Sequence, residues 1–85
     1  MRTIWKAVIT GEQTYECPRY SVALWAREQH DTICIWFLCD TEKPMEKRKV
    51  HVIGTGHQIT VNLGKYLGLA SLAGGQYIFH VFEAR

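Results

Sequence analysis

The run Thr32-Ile33-Cys34-Ile35-Trp36-Phe37-Leu38-Cys39 constrains the fold more than any other stretch of the chain. β-Branched and aromatic residues dominate it, which favours a strand. Ile33, Ile35, Phe37 and Cys39 then share one face, and Cys34, Trp36 and Leu38 share the other. Neither face suits water, so such a strand lies centrally in a sheet or beneath a partner. With 85 residues there is room for one core, because a chain of this size buries only about 60 to 65% of its unfolded surface. The expectation is a single β domain spanning residues 1–85.

The flanking sequence supplies partners for that strand. Tyr20 to Arg27 alternates, with Val22, Leu24 and Ala26 on one face and Ala23, Trp25 and Arg27 on the other. A helix competes here, because Ala, Leu, Arg, Glu and Gln all tolerate one. The polar cluster Glu28-Gln29-His30-Asp31, followed at once by the apolar run, favours a hairpin. Upstream, Thr3–Thr10 reads as a strand ended by Gly11, and Gln13–Cys17 as a short one, with Cys17-Pro18-Arg19 as the bend that follows.

Downstream, Asp40 to Lys47 has mixed charge and a proline, which marks an exposed loop. Arg48 to Ile53 returns as a strand in which Val50 and Val52 alternate against Lys49, His51 and Ile53. Gln58 to Leu63 alternates again through Ile59, Val61 and Leu63. Gly74-Gly75 supplies the positive φ values of a two-residue hairpin loop. That loop sets Leu72 opposite Tyr77, Ala70 opposite Phe79 and Gly68 opposite Val81. The other face then pairs Ser71 with Ile78, Leu69 with His80 and Leu67 with Phe82. Residues 63–73 could alternatively form a helix, which Gly64 and Gly68 weaken. Six or seven short strands make a mainly β fold, a small antiparallel β-sandwich or barrel.

A net charge of +2, from ten Lys and Arg against eight Asp and Glu, gives no large field to attract nucleic acid or an acidic partner. No apolar run reaches the length of a membrane span, and the first residues carry no signal-peptide core. A soluble, cytoplasmic protein is expected, with no membrane partner. Cys17, Cys34 and Cys39 are odd in number and form no Cys-x-x-Cys pair, so reduced, half-buried thiols are the simple reading.

The candidate ligand site is Gly54-Thr55-Gly56-His57, where a β-branched run stops. Its backbone N–H groups could form an anion-binding nest, with Thr55 and His57 adding side-chain donors. The plainer reading is a β-corner whose glycines serve geometry. It is not a dinucleotide fingerprint, since Ile59 stands where a third glycine is needed. The histidines and cysteines lack structural-zinc spacing, so neither metal nor cofactor is expected. His80 alternates into an apolar strand and reads as a core-rim histidine whose ring nitrogens find local partners. Nothing resembles a nucleophile motif or an acid–base carboxylate pair.

Lys47, Arg48 and Lys49, with exposed aromatics, would suit single-stranded nucleic acid, against the simpler reading of a solvated charge run. The doubly apolar strands around Trp36 and Phe79 suggest self-association.

The start Thr3-Ile4-Trp5-Lys6, the corner Ile53-Gly54-Thr55-Gly56-His57, Lys65-Tyr66-Leu67-Gly68, Gly74-Gly75 and the final His80-Val81-Phe82-Glu83 together resemble a family of small phage and prophage proteins of unknown function. The resemblance covers nearly the whole chain. It implies a viral source and accessory work in the host-cell cytoplasm, and it supplies no catalytic residues. The expected function is therefore non-enzymatic: a homo-oligomer that inhibits a host defence protein directly or sequesters a nucleotide signal. The alternative is a small β-barrel that binds nucleic acid; cysteine or histidine catalysis is the least favoured reading.

Overall fold

The computed structural model describes residues 1–85. Seven strands follow one another: β1 (Arg2–Val8), β2 (Thr14–Pro18), β3 (Val22–Gln29), β4 (Thr32–Asp40), β5 (Met45–Gly54), β6 (Leu63–Leu72) and β7 (Tyr77–Ala84). They form two antiparallel sheets, a three-stranded one in the order β1-β4-β3 and a four-stranded one in the order β2-β5-β7-β6. The mainly β sandwich expected from the pattern is the observed fold. No helix is long and apolar enough to cross a membrane.

The doubly apolar run is β4, and it lies at the centre of its sheet. Ile35, Phe37 and Cys39 face the opposing sheet and are buried with Tyr15, Cys17, Ala23, Ala26, Val50, Leu67 and Val81 in one cluster. The β3–β4 hairpin closes through His30 and Asp31, both at positive φ (53° and 58°), the conformation a two-residue primed turn needs. Neither is glycine, and Asp and His are among the side chains that tolerate it.

Register shifts, one in β3–β4 and two in β6–β7, alter which residues face inward. The β3–β4 ladder pairs Ala23 with Phe37 and then Trp25 with Trp36, so Leu24 is the extra residue. Simple alternation put Ala23 with Trp25 and Arg27; instead Ala23 and Ala26 both turn into the core, while Trp25 and Arg27 face outward. One inserted residue reverses every side chain beyond it. In β6–β7, the expected pairs hold from Leu72–Tyr77 through Gly68–Val81. A second irregularity then sets Tyr66, not Leu67, opposite Phe82, and Leu67 is buried.

Other boundaries also differ. Gln58–Leu63 is not a strand until its last residue; Ile59 and Val61 lie exposed. Alternation creates a potential strand but no partner, and β6 already pairs with β7. The Gly74-Gly75 loop is longer than two residues, a tight turn from Ala73 to Gln76 with Ala73, Gly74 and Gly75 all at positive φ. Cys17 and Pro18 belong to β2, an outer strand where a missing N–H is tolerated, and the bend falls at Tyr20 (φ 65°). The loop expected over Asp40 to Lys47 shortens to residues 41–44, since β4 runs to Asp40 and β5 starts at Met45. Residues 63–73 are strand, not helix, through Leu72.

Further hydrogen bonds take over where the ladders stop. The Gln13 carbonyl accepts from Val50 N–H (2.9 Å), and Gln13 Oε1 accepts from Val52 N–H (2.8 Å), so one residue continues the ladder beyond β2. On the other side, Glu28 Oε1 accepts from Ser71 N–H at 2.9 Å and Asp31 Oδ1 from Ala73 N–H at 2.7 Å. Those two carboxylates occupy donors at the end of β6 and in the turn after it, where an edge strand could otherwise recruit another strand.

Candidate functional site

The glycine corner is a turn closed by His57 N–H donating to the Gly54 carbonyl at 3.0 Å, with Gly56 at φ +87°. Thr55 N–H donates to the Ile78 carbonyl at 3.1 Å. Two of the amides that a nest would aim at an anion are thus engaged within the fold, and an anion has to compete for them. The His57 ring lies against Gly54, where an added Cβ would come within 2.6 Å of it. These residues, with Gln76, Tyr77, Ile78 and Phe79, line a shallow recess of about 200 Å³.

The Thr55 side chain serves a different group. Its hydroxyl lies 2.9 Å from His80 Nε2, and the Tyr66 hydroxyl lies 3.0 Å from His80 Nδ1. Thr55 Oγ1 is also 3.4 Å from the Ile78 carbonyl. A tautomer with the proton on Nε2 satisfies all three contacts: His80 donates to Thr55, Thr55 to Ile78, and Tyr66 to Nδ1. Phe82 meets Tyr66 edge-on, at 5.0 Å between centroids. Thr55, Tyr66, His80 and Phe82 therefore form one fixed cluster on the outer face of the four-stranded sheet.

The basic run divides between faces, as alternation in a strand requires. Lys47 and Lys49 are exposed on the outer face of β5, in line with His51. Arg48 turns the other way: its Nε donates to Glu46 Oε2 (2.8 Å) and its Nη1 to the Ser21 carbonyl (2.6 Å) in the segment leading to β3. Arg48 thus fastens one sheet to the other.

The outer face of the three-stranded sheet is apolar over most of its area. Ile4, Val8 and Val22 are 56, 52 and 53% exposed, and Leu24 and Trp25 are also exposed. Trp36, in the middle of β4, packs against Trp25 with centroids 5.6 Å apart, and the Arg27 guanidinium lies over Trp25 at 5.1 Å. Lys6 reaches across this face to donate to Gln29 Oε1. Phe79 lies elsewhere: it shares the inner face of β7 with Val81 and is half-buried beside the glycine corner. Trp36 and Phe79 are therefore on different sheets and do not share a surface.

A family match spans residues 1–85. The chain belongs to the family described as Domain of unknown function (DUF7352). No curated protein and no solved structure matches it.

Within this family member, chemistry at sulfur finds little support. All three cysteines are free and buried, and burial pushes the Cys17 thiol above its ordinary range. No group of three or more His, Cys, Asp and Glu side chains is placed to hold a metal ion. The sequence pointed to local partners for His80 but did not name them. Register alone puts Leu69 opposite His80, and only the bulge in β6 brings Tyr66 onto the ring. Phe82 was likewise assigned to Leu67.

Proposed function

We propose that this protein works by binding, as a homodimer that closes over the outer face of its three-stranded sheet. The observation that carries the reading is the contiguous surface of Ile4, Val8, Val22, Leu24, Trp25, Trp36 and Leu38. Three strands about 4.8 Å apart, with about 3.3 Å per residue, give it a footprint of roughly 15 by 25 Å. A patch of that size matches the largest that a typical monomer exposes, and such patches often mark interaction sites.

The distribution of side chains favours a second copy as the occupant. Trp36 is the central residue of β4. Ile4, Leu38 and Val22 lie across the sheet on one side of it; on the other lie Val8, the covered Cys34 and Arg27. A two-fold axis running along β4 over Trp36 sets Ile4 against Val22, and Leu38 and Trp36 each against its own copy, the self-complementarity an isologous interface needs. Two cations on this face already have partners, Lys6 in Gln29 and Arg27 in Glu28 at 3.1 Å, and Arg2 stands at its far end, opposite Asp40 in the ladder. Face-to-face packing at about 10 Å would bury both tryptophan pairs.

In the setting the phage resemblance implies, such a dimer is an accessory protein in the host-cell cytoplasm, directed at a host protein or a nucleotide signal. Sedimentation equilibrium tests the assembly. The unmodified chain is expected to be dimeric at micromolar concentration, and Trp36→Glu to be a folded monomer. An unmodified chain that stays monomeric at those concentrations, or a Trp36→Glu variant that still dimerises, overturns the reading.

A further inference from the structure

We infer that the outer face of the other, four-stranded sheet binds single-stranded nucleic acid, with Lys47 and Lys49 on the phosphates and Tyr66 stacked on a base. The inference is independent of dimerisation, because it uses the opposite side of the sandwich. Lys47, Lys49 and His51 follow one another at every second residue of β5, so their side chains leave the strand about 6.7 Å apart along one line. The ion pairs in the structure use the N-terminus, Arg27 and Arg48, and neither lysine is in one. Glu16 stands opposite Lys47 in the ladder without pairing to it. This face thus carries uncommitted positive charge even though the net charge of the chain is small.

Beside that line stand the aromatic groups. His51 is opposite Phe82, and Phe82 is opposite Tyr66, so cations and rings form adjacent rows on one surface. Tyr66 is 47% exposed, while its hydroxyl is held by His80 and its ring is braced by the edge contact with Phe82. A ring fixed before the ligand arrives loses little freedom on stacking, which is the condition for an effective platform. A base offers a π-face and a backbone offers phosphates in series; a strand running obliquely over the sheet would meet the lysine pair on β5 and then the Tyr66 ring two strands away on β6. Base pairs in a duplex are closed to stacking from the side, so the fit is to a single strand.

Fluorescence anisotropy with a labelled oligothymidine of about 12 nucleotides tests this. Binding is expected at about 50 mM salt and to weaken steeply as salt rises. The Lys47→Gln, Lys49→Gln double variant should flatten the log–log salt slope by about 1.4, while Lys43→Gln in the β4–β5 loop leaves it unchanged. Tyr66→Ala should weaken binding about tenfold, and Tyr66→Phe, which keeps the ring and its edge contact with Phe82 but loses the bond to His80, should weaken it by less. Absence of binding at low salt overturns the inference, as does a salt slope unaltered by removing both lysines. Thymidine monophosphate competing as well as the oligomer, nucleotide for nucleotide, would assign the face to a free nucleotide instead. Concentration-dependent protection of Tyr66 in the protein alone would assign it to a protein contact.

Discussion

A Cβ added to Gly68 would lie 2.0 Å from the carbonyl oxygen of Ala26, so β6 and β3 meet there backbone to backbone. The contact joins the outer strand of one sheet to the outer strand of the other. Any side chain at Gly68 must push the strands apart, and a backbone oxygen cannot swing aside as a flexible side chain can. Gly68→Ala is therefore expected to cost about 3 kcal/mol or more. In a thermal melt this should appear as a fall in Tm of at least about 12 °C. A melt within a few degrees of the unmodified chain would contradict this placement of β6.

The same junction makes stability depend on pH. The Ser71 N–H bonded to Glu28, and secondarily Arg27, hold the Glu28 carboxyl below its usual range. A carboxyl depressed by folding contributes its stability above the ordinary glutamate pKa and loses it as pH falls through the lower folded value. The urea midpoint should accordingly fall on the acid side of the ordinary glutamate range. Glu28→Gln should lower the midpoint at neutral pH and flatten that acid limb. Parallel acid limbs in the two proteins would show that Glu28 does not hold the β6 edge.

The two kinds of basic residue on β5 should separate in a stability assay. Arg48→Met leaves the Ser21 carbonyl and Glu46 without their guanidinium and is expected to cost about 2 kcal/mol. Lys47→Gln and Lys49→Gln, on the solvent side, should each remain within about 0.5 kcal/mol. Equal effects at Arg48 and Lys49 in denaturant titrations would contradict the alternation assigned to this strand.

Burial of Cys17 predicts slow chemistry at its sulfur. With the thiol pKa raised by burial, iodoacetamide should label Cys17 only sluggishly in native buffer and readily in urea, followed by mass spectrometry. Rapid native labelling would reopen the case for a reactive thiol.

What the sequence made legible followed directly from period and turn chemistry. The doubly apolar run named β4 as a central strand. The diglycine fixed the β6–β7 register as far as Gly68–Val81, although the loop itself runs over Ala73–Gln76. Reading failed at the bulges. Neither Leu24 nor Leu67 differs in composition from an ordinary strand residue, yet each shifts the pairing beyond it by one. The clasp on His80 was hidden for that reason, since it depends on Tyr66 arriving through a bulge and Thr55 through a turn. Ile59 and Val61 show the opposite error: alternation without a neighbour to pair with leaves a strand-like segment in solvent. The grouping of Lys47, Arg48 and Lys49 as one basic run was also an error, since the alternation of Val50 and Val52 sends Arg48 to the other face from the two lysines.

Hydroxyl-radical footprinting above and below the dissociation concentration tests the docking face most directly. Side-chain oxidation at Trp25, Trp36 and Ile4 should fall at high concentration and return on dilution, while Tyr77 and Tyr66 are labelled equally in both. Labelling of the two tryptophans that does not change with concentration, or protection that falls on Tyr66 instead, would contradict assembly through the three-stranded sheet.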